Sequence, residues 1–331
     1  MRTRIGRHQT LFALPILILM AVLALGADPG LPYPVAAEAG DQRTGSILIY
    51  NLYSSSTDGS RNTEIVLTNT HATQPIRVHF FLVDGNTGLP TDFTLCLTVN
   101  HTQRFFASDL DPGIIGYLIA VAVDGTGCPT GFNYLSGSAV VRPIPGAEAT
   151  LAAQAFPAMF SGVLPGCGIA STTANLVFDG GSSGYSRLPR MLAADHALSL
   201  ADNNQMMLIL NRIDGSLVSG IGPLGIVAGE LFDESSVLYS FTAGSNSCQL
   251  RNVTSQFFPS TTIPFPSVIV SGSTGWMKFY TVTDYGFVGS LININQYAGN
   301  ILWGFQGGHN LRTLRFSNSN TLTIPIIPPS C

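Results

Sequence analysis

Short apolar segments, separated by clusters of Gly, Pro, Asn, Asp and Ser, recur along most of this chain. In the first half they lie at 46–53, 64–68, 76–83, 93–99, 116–123 and 132–141. Short segments with such boundaries are typical of strands in sandwiches and barrels. No part of this half has a sustained period of 3.6 residues that would indicate helix. The sequence therefore predicts an all-β fold.

The second half of the chain repeats features of the first. Segments 62–69 and 204–211 each begin and end with asparagine around an apolar stretch. Segments 116–123 and 275–282 each run from a glycine, through an aromatic residue, to a valine. We interpret these matches as a diverged tandem duplication. They predict two tandem antiparallel β-sandwich domains, immunoglobulin-like or jelly-roll-like, joined by a short bridge with little helix.

The composition of the segments sets the expected boundaries. We predict a first sandwich domain over 45–145, a bridge over 146–186 and a second sandwich domain over 187–331. Within the bridge, the Ala-rich segment 147–159 favours a short helix that ends at Pro157, because proline removes a backbone donor.

The N-terminus has the features of a secretory leader. Arg2, Arg4 and Arg7 precede an apolar run over 11–25, and small residues follow it. This run is too short to span a bilayer comfortably, and its order of regions is that of a signal peptide. We predict a signal peptide over 1–27, with cleavage as late as residue 39; an uncleaved anchor is the alternative. The mature chain is then exported to the cell surface or extracellular space, or alternatively the periplasm.

Charge is sparse and evenly spread. Charged residues make up 10% of the chain, the formal net charge is −4, and Lys278 is the single lysine. The sequence has no basic cluster of the kind that binds nucleic acid or anionic lipid. We therefore expect no nucleic-acid partner and no membrane span in the mature chain. No motif indicates a cofactor.

The cysteines fit an exported protein, in which disulfides can form. No C-x-x-C pair or zinc-ligand spacing occurs. Cys96 and Cys128 both lie in the first predicted domain, and we predict that they form a disulfide there. The pairing among Cys167, Cys248 and Cys331 stays open.

Several segments together carry a family resemblance. They are 62–69, 80–85 (FFLVDG), 105–113 (FFASDLDPG), 116–123, 275–278 (GWMK) and 305–310 (FQGGHN). In style they resemble uncharacterised secreted bacterial proteins with tandem β-sandwich repeats. The resemblance covers most of 45–331 and implies a cell-surface or extracellular protein. It implies no activity and no functional residues.

One motif suggests catalysis. Residues 180–184 (GGSSG) match the G-x-S-x-G pattern around Ser182. A nucleophile elbow needs this serine on a turn that leads into a helix. The residues that follow, 185–189, do not resemble a helix start, and the βα repeats of a hydrolase are missing. We predict no catalytic residue, and a secreted serine hydrolase is only the second alternative.

Two further sets of residues suggest binding. Asp109 and Asp111 are weak candidates for a structural calcium site, and a loop held by Asp–backbone hydrogen bonds is the other interpretation. Trp276, Trp303 and Tyr297 are candidates for an aromatic platform that binds a sugar, and core packing is the alternative for each.

The sequence thus favours an exported, non-catalytic structural or interaction protein. Its expected partners are a cell-envelope component, a glycan, or a second copy of the chain that pairs through exposed sheet edges. A pair of carbohydrate-binding modules is the first alternative.

Overall fold

The all-β prediction is confirmed. A computed structural model describes residues 31–32, 40–58, 60–144, 147–253, 256, 264–295 and 306–330. More than half of these residues lie in strands. The predicted signal peptide, 1–27, lies outside the described residues.

The strands follow one another with short connections. In the first half they are β1 (Leu31–Pro32), β2 (Ile47–Ser54), β3 (Glu64–Asn69), β4 (Ile76–Asp84), β5 (Pro90–Leu97), β6 (Thr102–Phe106), β7 (Ile115–Val123), β8 (Thr130–Gly131), β9 (Leu135–Val141), β10 (Ala149–Ala152), β11 (Gln154–Phe156) and β12 (Gly162–Val163). In the second half they are β13 (Thr173–Phe178), β14 (Pro189–Leu198), β15 (Asn204–Arg212), β16 (Gly215–Ser216), β17 (Gly225–Asp233), β18 (Leu238–Ser245), β19 (Gln249–Val253), β20 (Thr274–Thr281), β21 (Phe287–Asn295), β22 (Gly307–Asn310), β23 (Arg312–Phe316) and β24 (Asn320–Pro325).

Helix is nearly absent from the part of the chain that the structure describes. It occurs in two 3₁₀ turns, Ala107–Asp109 and Leu200–Asp202, in one α-helical turn, α1 (Phe265–Val268), and at the 3₁₀ residue Gln256. The short helix predicted for 147–159 is wrong, because this segment forms β10 and β11. Ala149 and Leu151 are buried while Thr150 is exposed, which is a period of two. Pairing with β9 and β2 overrides the helix propensity of alanine.

Strand order supports the duplication. The first half forms two sheets with the orders β11-β2-β7-β4-β5 and β10-β9-β3-β6. The second half forms β23-β14-β20-β17-β18, extended by β1 at its edge, and β22-β21-β15-β19. The two sets match position by position: β3 corresponds to β15 and β7 to β20, as the matched sequence segments predict. We call these two sets the first repeat and the second repeat.

Each repeat encloses an apolar core between its two sheets, because alternate strand residues point inward. The first core includes Leu48, Phe80 and Leu118 from one sheet and Leu67 and Ala139 from the other. The second core includes Met277, Phe279 and Leu231 from one sheet and Leu208 and Leu291 from the other.

The prediction of two tandem sandwich domains is wrong, because the repeats do not stand apart. Strands β2 and β21 are buried on both faces. The second face of the β2 sheet packs against the small sheet β13-β24-β16. Ile209 and Ile292 of the second repeat lie in the core of the first. The five sheets of three or more strands therefore form one body, and they are arranged as a five-bladed, propeller-like ring.

A cluster of buried side-chain amides lies where the repeats meet. Asn51 Nδ2 lies 2.8 Å from Ser290 Oγ, 3.0 Å from Asn310 Oδ1 and 3.1 Å from the carbonyl oxygen of Gly289, and its two hydrogens are shared among these acceptors. Asn211 Nδ2 donates to the carbonyl of Asn51 at 2.9 Å. Buried amides are tolerated only when they are hydrogen-bonded. These bonds therefore fix the register of one repeat on the other.

The disulfide predicted between Cys96 and Cys128 is also wrong. Cys128 is bonded to Cys167, with a Cα–Cα distance of 5.9 Å. The reason is the pairing of β8 with β12, which brings the two loops together: Leu164 N donates to the carbonyl of Pro129 at 2.8 Å. Cys96 is itself disulfide-bonded but not to Cys128. Cys248 is a buried free thiol, and Cys331 lies outside the described residues.

Candidate functional site

The outer surface of the β14-β20-β17-β18 sheet carries an unusual set of side chains. Along β17 and β20, alternate residues point into the second core, and the residues between them point outward. The outward residues include Phe232 and Glu230 on β17, and Trp276, Lys278 and Tyr280 on β20. We call these five residues the aromatic face.

Two rings form the centre of the aromatic face. Phe232 and Trp276 are directly opposite each other in the strand register. Their rings stack at 4.6 Å between centroids with an interplanar angle of 10°. Trp276 remains 38% exposed, and Leu238, opposite Phe232 on the edge strand β18, is also exposed. An exposed tryptophan supported by a second ring offers a rigid apolar surface with a polar N–H.

An ion pair lies beside the rings. Lys278 Nζ is 2.9 Å from Glu230 Oε2 and 5.3 Å from the centroid of the Phe232 ring. Tyr280 Oη donates to Glu230 Oε1 at 3.4 Å. The lysine therefore interacts with both a carboxylate and the face of an aromatic ring. The arrangement combines stacking surface with hydrogen-bonding groups.

A β-bulge interrupts the pairing of β14 with β20 beside Trp276. The register matches Ala194 with Met277 and Ala197 with Gly275, so the bulged residues lie across from Trp276. These residues are Asp195 and His196. Bulges redirect side chains and are common next to functional sites. The aromatic face is thus continuous with a second group of polar residues.

The second group contains two histidines. The rings of His196 and His309 lie 4.9 Å apart between centroids. Burial, and then the neighbouring His309, lower the pKa of His196, while Asp195 opposes the shift. Arg312 forms an ion pair with Asp195, and the hydrogen bond between them raises the pKa of Arg312. We call Asp195, His196, His309 and Arg312 the histidine cluster.

A cavity of about 590 Å³ opens beside this cluster. Asp195, His309 and Arg312 contribute to its wall, together with Asp41 and Gln154. The lining is mixed, because Phe156, Pro189 and Leu311 also contribute to it.

Of the three residues predicted to form the aromatic platform, the structure describes only Trp276. Trp276 is on the surface and belongs to the aromatic face. Trp303 and Tyr297 lie outside the described residues. Sequence reasoning did not identify Phe232, Glu230 or Lys278 as neighbours of Trp276, because strand register across β17 and β20 is a non-local property.

The predicted calcium ligands have other surroundings. Asp111 Oδ2 accepts a hydrogen bond from Tyr53 Oη at 2.6 Å, and Ser55 Oγ donates to the Asp111 carbonyl. Asp109 is exposed at the end of a 3₁₀ turn. Among the described residues, no group of three or more His, Cys, Asp or Glu side chains is arranged to hold a metal ion. This loop matches the hydrogen-bonded interpretation more closely than a calcium site.

Ser182 lies in a turn between two strands. The turn connects β13 to β14, and Gly184 N donates to the carbonyl of Gly181 at 3.1 Å. Strand β14, rather than a helix, follows it. The local geometry therefore differs from the strand–turn–helix of a nucleophile elbow.

The sequence did not predict the histidine cluster, because His196 and His309 are far apart in the chain. The only local signal was the segment Gly307–Asn310, which forms β22. A Cβ on Gly308 would lie 3.0 Å from Ile292 Cγ1 and from Leu151 Cδ2. Glycine at this position therefore allows β22 to pack closely between the repeats, and it places His309 at their boundary.

Comparison with known proteins gives no family. No protein-family model matches the chain, and no curated protein matches it significantly. Two crystal structures of variants of the major pilin from Streptococcus pyogenes align at 9% identity over 85% of this chain and 98% of theirs, with TM-scores of 0.19 and 0.18. Similarity at this level carries no argument about fold or function. In the part of the chain that the structure describes, no helix is long and apolar enough to cross a membrane.

Proposed function

We propose that the protein is an exported, non-catalytic interaction protein that binds a component of the cell surface or extracellular space. The binding surface is the aromatic face. The observation that carries the proposal is the exposure of Trp276 on an open sheet surface, stacked on Phe232 and next to the Lys278–Glu230 ion pair. Aromatic residues, tryptophan above all, are enriched at binding sites, where polar and charged groups surround them at the rim.

Export rests on separate observations. The predicted leader directs the chain out of the cytoplasm. The Cys128–Cys167 disulfide is consistent with an oxidising environment. The low content of charged residues does not favour a nucleic-acid partner, because phosphate binding needs many Lys and Arg side chains.

Replacing Trp276 with alanine is expected to weaken this binding. The mature protein is incubated with purified envelope fractions of its host, and the bound fraction is measured against protein concentration. We expect saturable binding by the unchanged protein and a dissociation constant about tenfold higher for Trp276→Ala, because a central stacking contact is worth about 1.4 kcal/mol or more.

Phe106→Ala is the matched control, since Phe106 is another exposed aromatic residue but lies on β6 of the first repeat. Its binding should equal that of the unchanged protein. Equal binding by Trp276→Ala would remove the aromatic face from the proposal. No binding by the unchanged protein, together with a monodisperse monomer in size-exclusion chromatography, would contradict the interaction function itself.

Carbohydrate binding is the second candidate, and the same ring pair favours it. Sugar rings present apolar C–H faces that stack on aromatic side chains, while Glu230, Lys278 and Tyr280 supply hydrogen-bonding groups at the edge. A glycan array distinguishes this candidate from protein binding. Specific glycan signals that disappear in Trp276→Ala support it, and an array without signals, alongside envelope binding that survives deglycosylation, contradicts it.

A further inference from the structure

The ring of His309 is held in one tautomer. Its Nδ1 lies 2.9 Å from the carbonyl oxygen of Asn310. A carbonyl oxygen only accepts hydrogen bonds, so Nδ1 carries the proton. In the neutral ring Nε2 then has a free lone pair. Metal-binding histidines are commonly oriented in this way, through a hydrogen bond from the other ring nitrogen to a backbone carbonyl.

The Nε2 atom of His309 is buried and has no hydrogen-bond partner in the structure. Buried polar atoms in folded proteins are nearly always satisfied, and an exception calls for an explanation such as a bound ion or water. The lone pair of a neutral imidazole is a good ligand for a transition metal. His79 Nδ1 and His101 Nδ1 are also buried without a partner. What distinguishes His309 is the second imidazole beside it.

A second imidazole lies at a suitable distance. The ring centroids of His196 and His309 are 4.9 Å apart, and the ring planes make an angle of 51°. Two imidazoles bound to neighbouring positions of one tetrahedral ion, with metal–nitrogen bonds of about 2.0–2.1 Å, have centroids about 5 Å apart. The β-bulge at Ala194–Ala197 is what brings His196 to this position.

We propose that His196 and His309 together bind one divalent transition-metal ion of the zinc, nickel or copper class, for which imidazole is a preferred ligand. Water from the adjacent cavity completes the coordination. With two protein ligands rather than three or four, the ion is exchangeable. The proposal does not rest on ligand binding at the aromatic face.

The test uses the mature protein without an affinity tag. Zn²⁺ and, separately, Ni²⁺ are titrated calorimetrically into the unchanged protein, His196→Ala, His309→Ala and His101→Ala. His101 is the control because it lies in the first repeat, in the loop before β6. We expect one ion per chain, affinity at least tenfold lower in each of the first two variants, and no change in His101→Ala. Absence of saturable binding by the unchanged protein would overturn the proposal. So would an affinity of His196→Ala or His309→Ala equal to that of the unchanged protein.

A measurement on the unchanged protein covers the case in which a variant fails to fold. The histidine rings are labelled with ¹⁵N, and their long-range ¹H–¹⁵N spectrum is recorded during addition of Zn²⁺. The Nε2 signals of two of the histidines should move together and saturate at one equivalent, while the Nδ1 proton of one of them is retained. Ring spectra that stay unchanged, or that all move gradually with excess metal, would contradict the site.

Discussion

Replacing both Cys128 and Cys167 with alanine is expected to lower the free energy of unfolding by about 4 kcal/mol. The two cysteines are 39 residues apart in sequence, and closing a loop of this length restricts the unfolded chain by about that amount in the loop-entropy treatment. Urea unfolding in non-reducing buffer, followed by circular dichroism, gives the value. Reduction of the unchanged protein should lower the free energy of unfolding further, because it also breaks the disulfide of Cys96.

Cys248→Ala is the control for this experiment, because Cys248 is a buried cysteine that forms no disulfide. It removes one sulfur atom from a packed interior, and the expected loss is only about 1 kcal/mol. If the double variant were no less stable than Cys248→Ala, the Cys128–Cys167 bond would not be the one that forms.

Replacing Asn51 with alanine is the second change with a large expected effect, a loss of about 3 kcal/mol. Asn51 Nδ2 serves acceptors on both β21 and β22, and its Oδ1 lies 3.4 Å from Asn211 Nδ2. Truncation removes about three buried hydrogen bonds, each worth about 0.5–1.5 kcal/mol, and leaves a small cavity. Asn310 Oδ1 keeps the bond from Ser290 Oγ, and the Gly289 carbonyl keeps the bond from Leu311 N. Urea unfolding measures the change, and we expect a single cooperative transition because the repeats share their interior.

Asn86→Ala supplies the matched comparison, because Asn86 is exposed in the turn between β4 and β5. Its effect should stay within about 0.5 kcal/mol. An Asn51→Ala variant as stable as Asn86→Ala would mean that the amide cluster does not hold the repeats together. Two separate unfolding transitions in the unchanged protein would mean that the repeats fold as independent domains.

The parts of the fold that sequence predicts are those encoded locally. Short apolar runs bounded by turn clusters define strands such as β4 and β7 without reference to the rest of the chain. The matched segments 62–69 and 204–211 also identify β3 and β15 as counterparts. Both strands are central in their sheets. Their burial differs, because β3 alternates regularly whereas Leu208–Asn211 of β15 are buried without interruption.

The parts that sequence missed depend on partners distant in the chain. Alanine propensity alone favoured a helix over 147–159, whereas β9 and β2 offer paired edges that turn the segment into strands. The pairing of Cys128 depends on β12 reaching β8. Separate domains were expected because nothing local marks Ile209 or Asn51 as contact residues between the repeats. The histidine cluster depends on a bulge in β14 that no local pattern signals.

The proposed binding surface is tested most directly by the fluorescence of Trp276 in a Trp303→Phe protein, in which it is the only tryptophan. Acrylamide quenching is measured for the free protein and for the protein saturated with envelope material. The account predicts efficient quenching in the free protein, because Trp276 is exposed, and a several-fold smaller quenching constant once the surface is covered. Poor quenching in the free protein, or quenching that binding does not change, would contradict the assignment of the aromatic face as the binding surface.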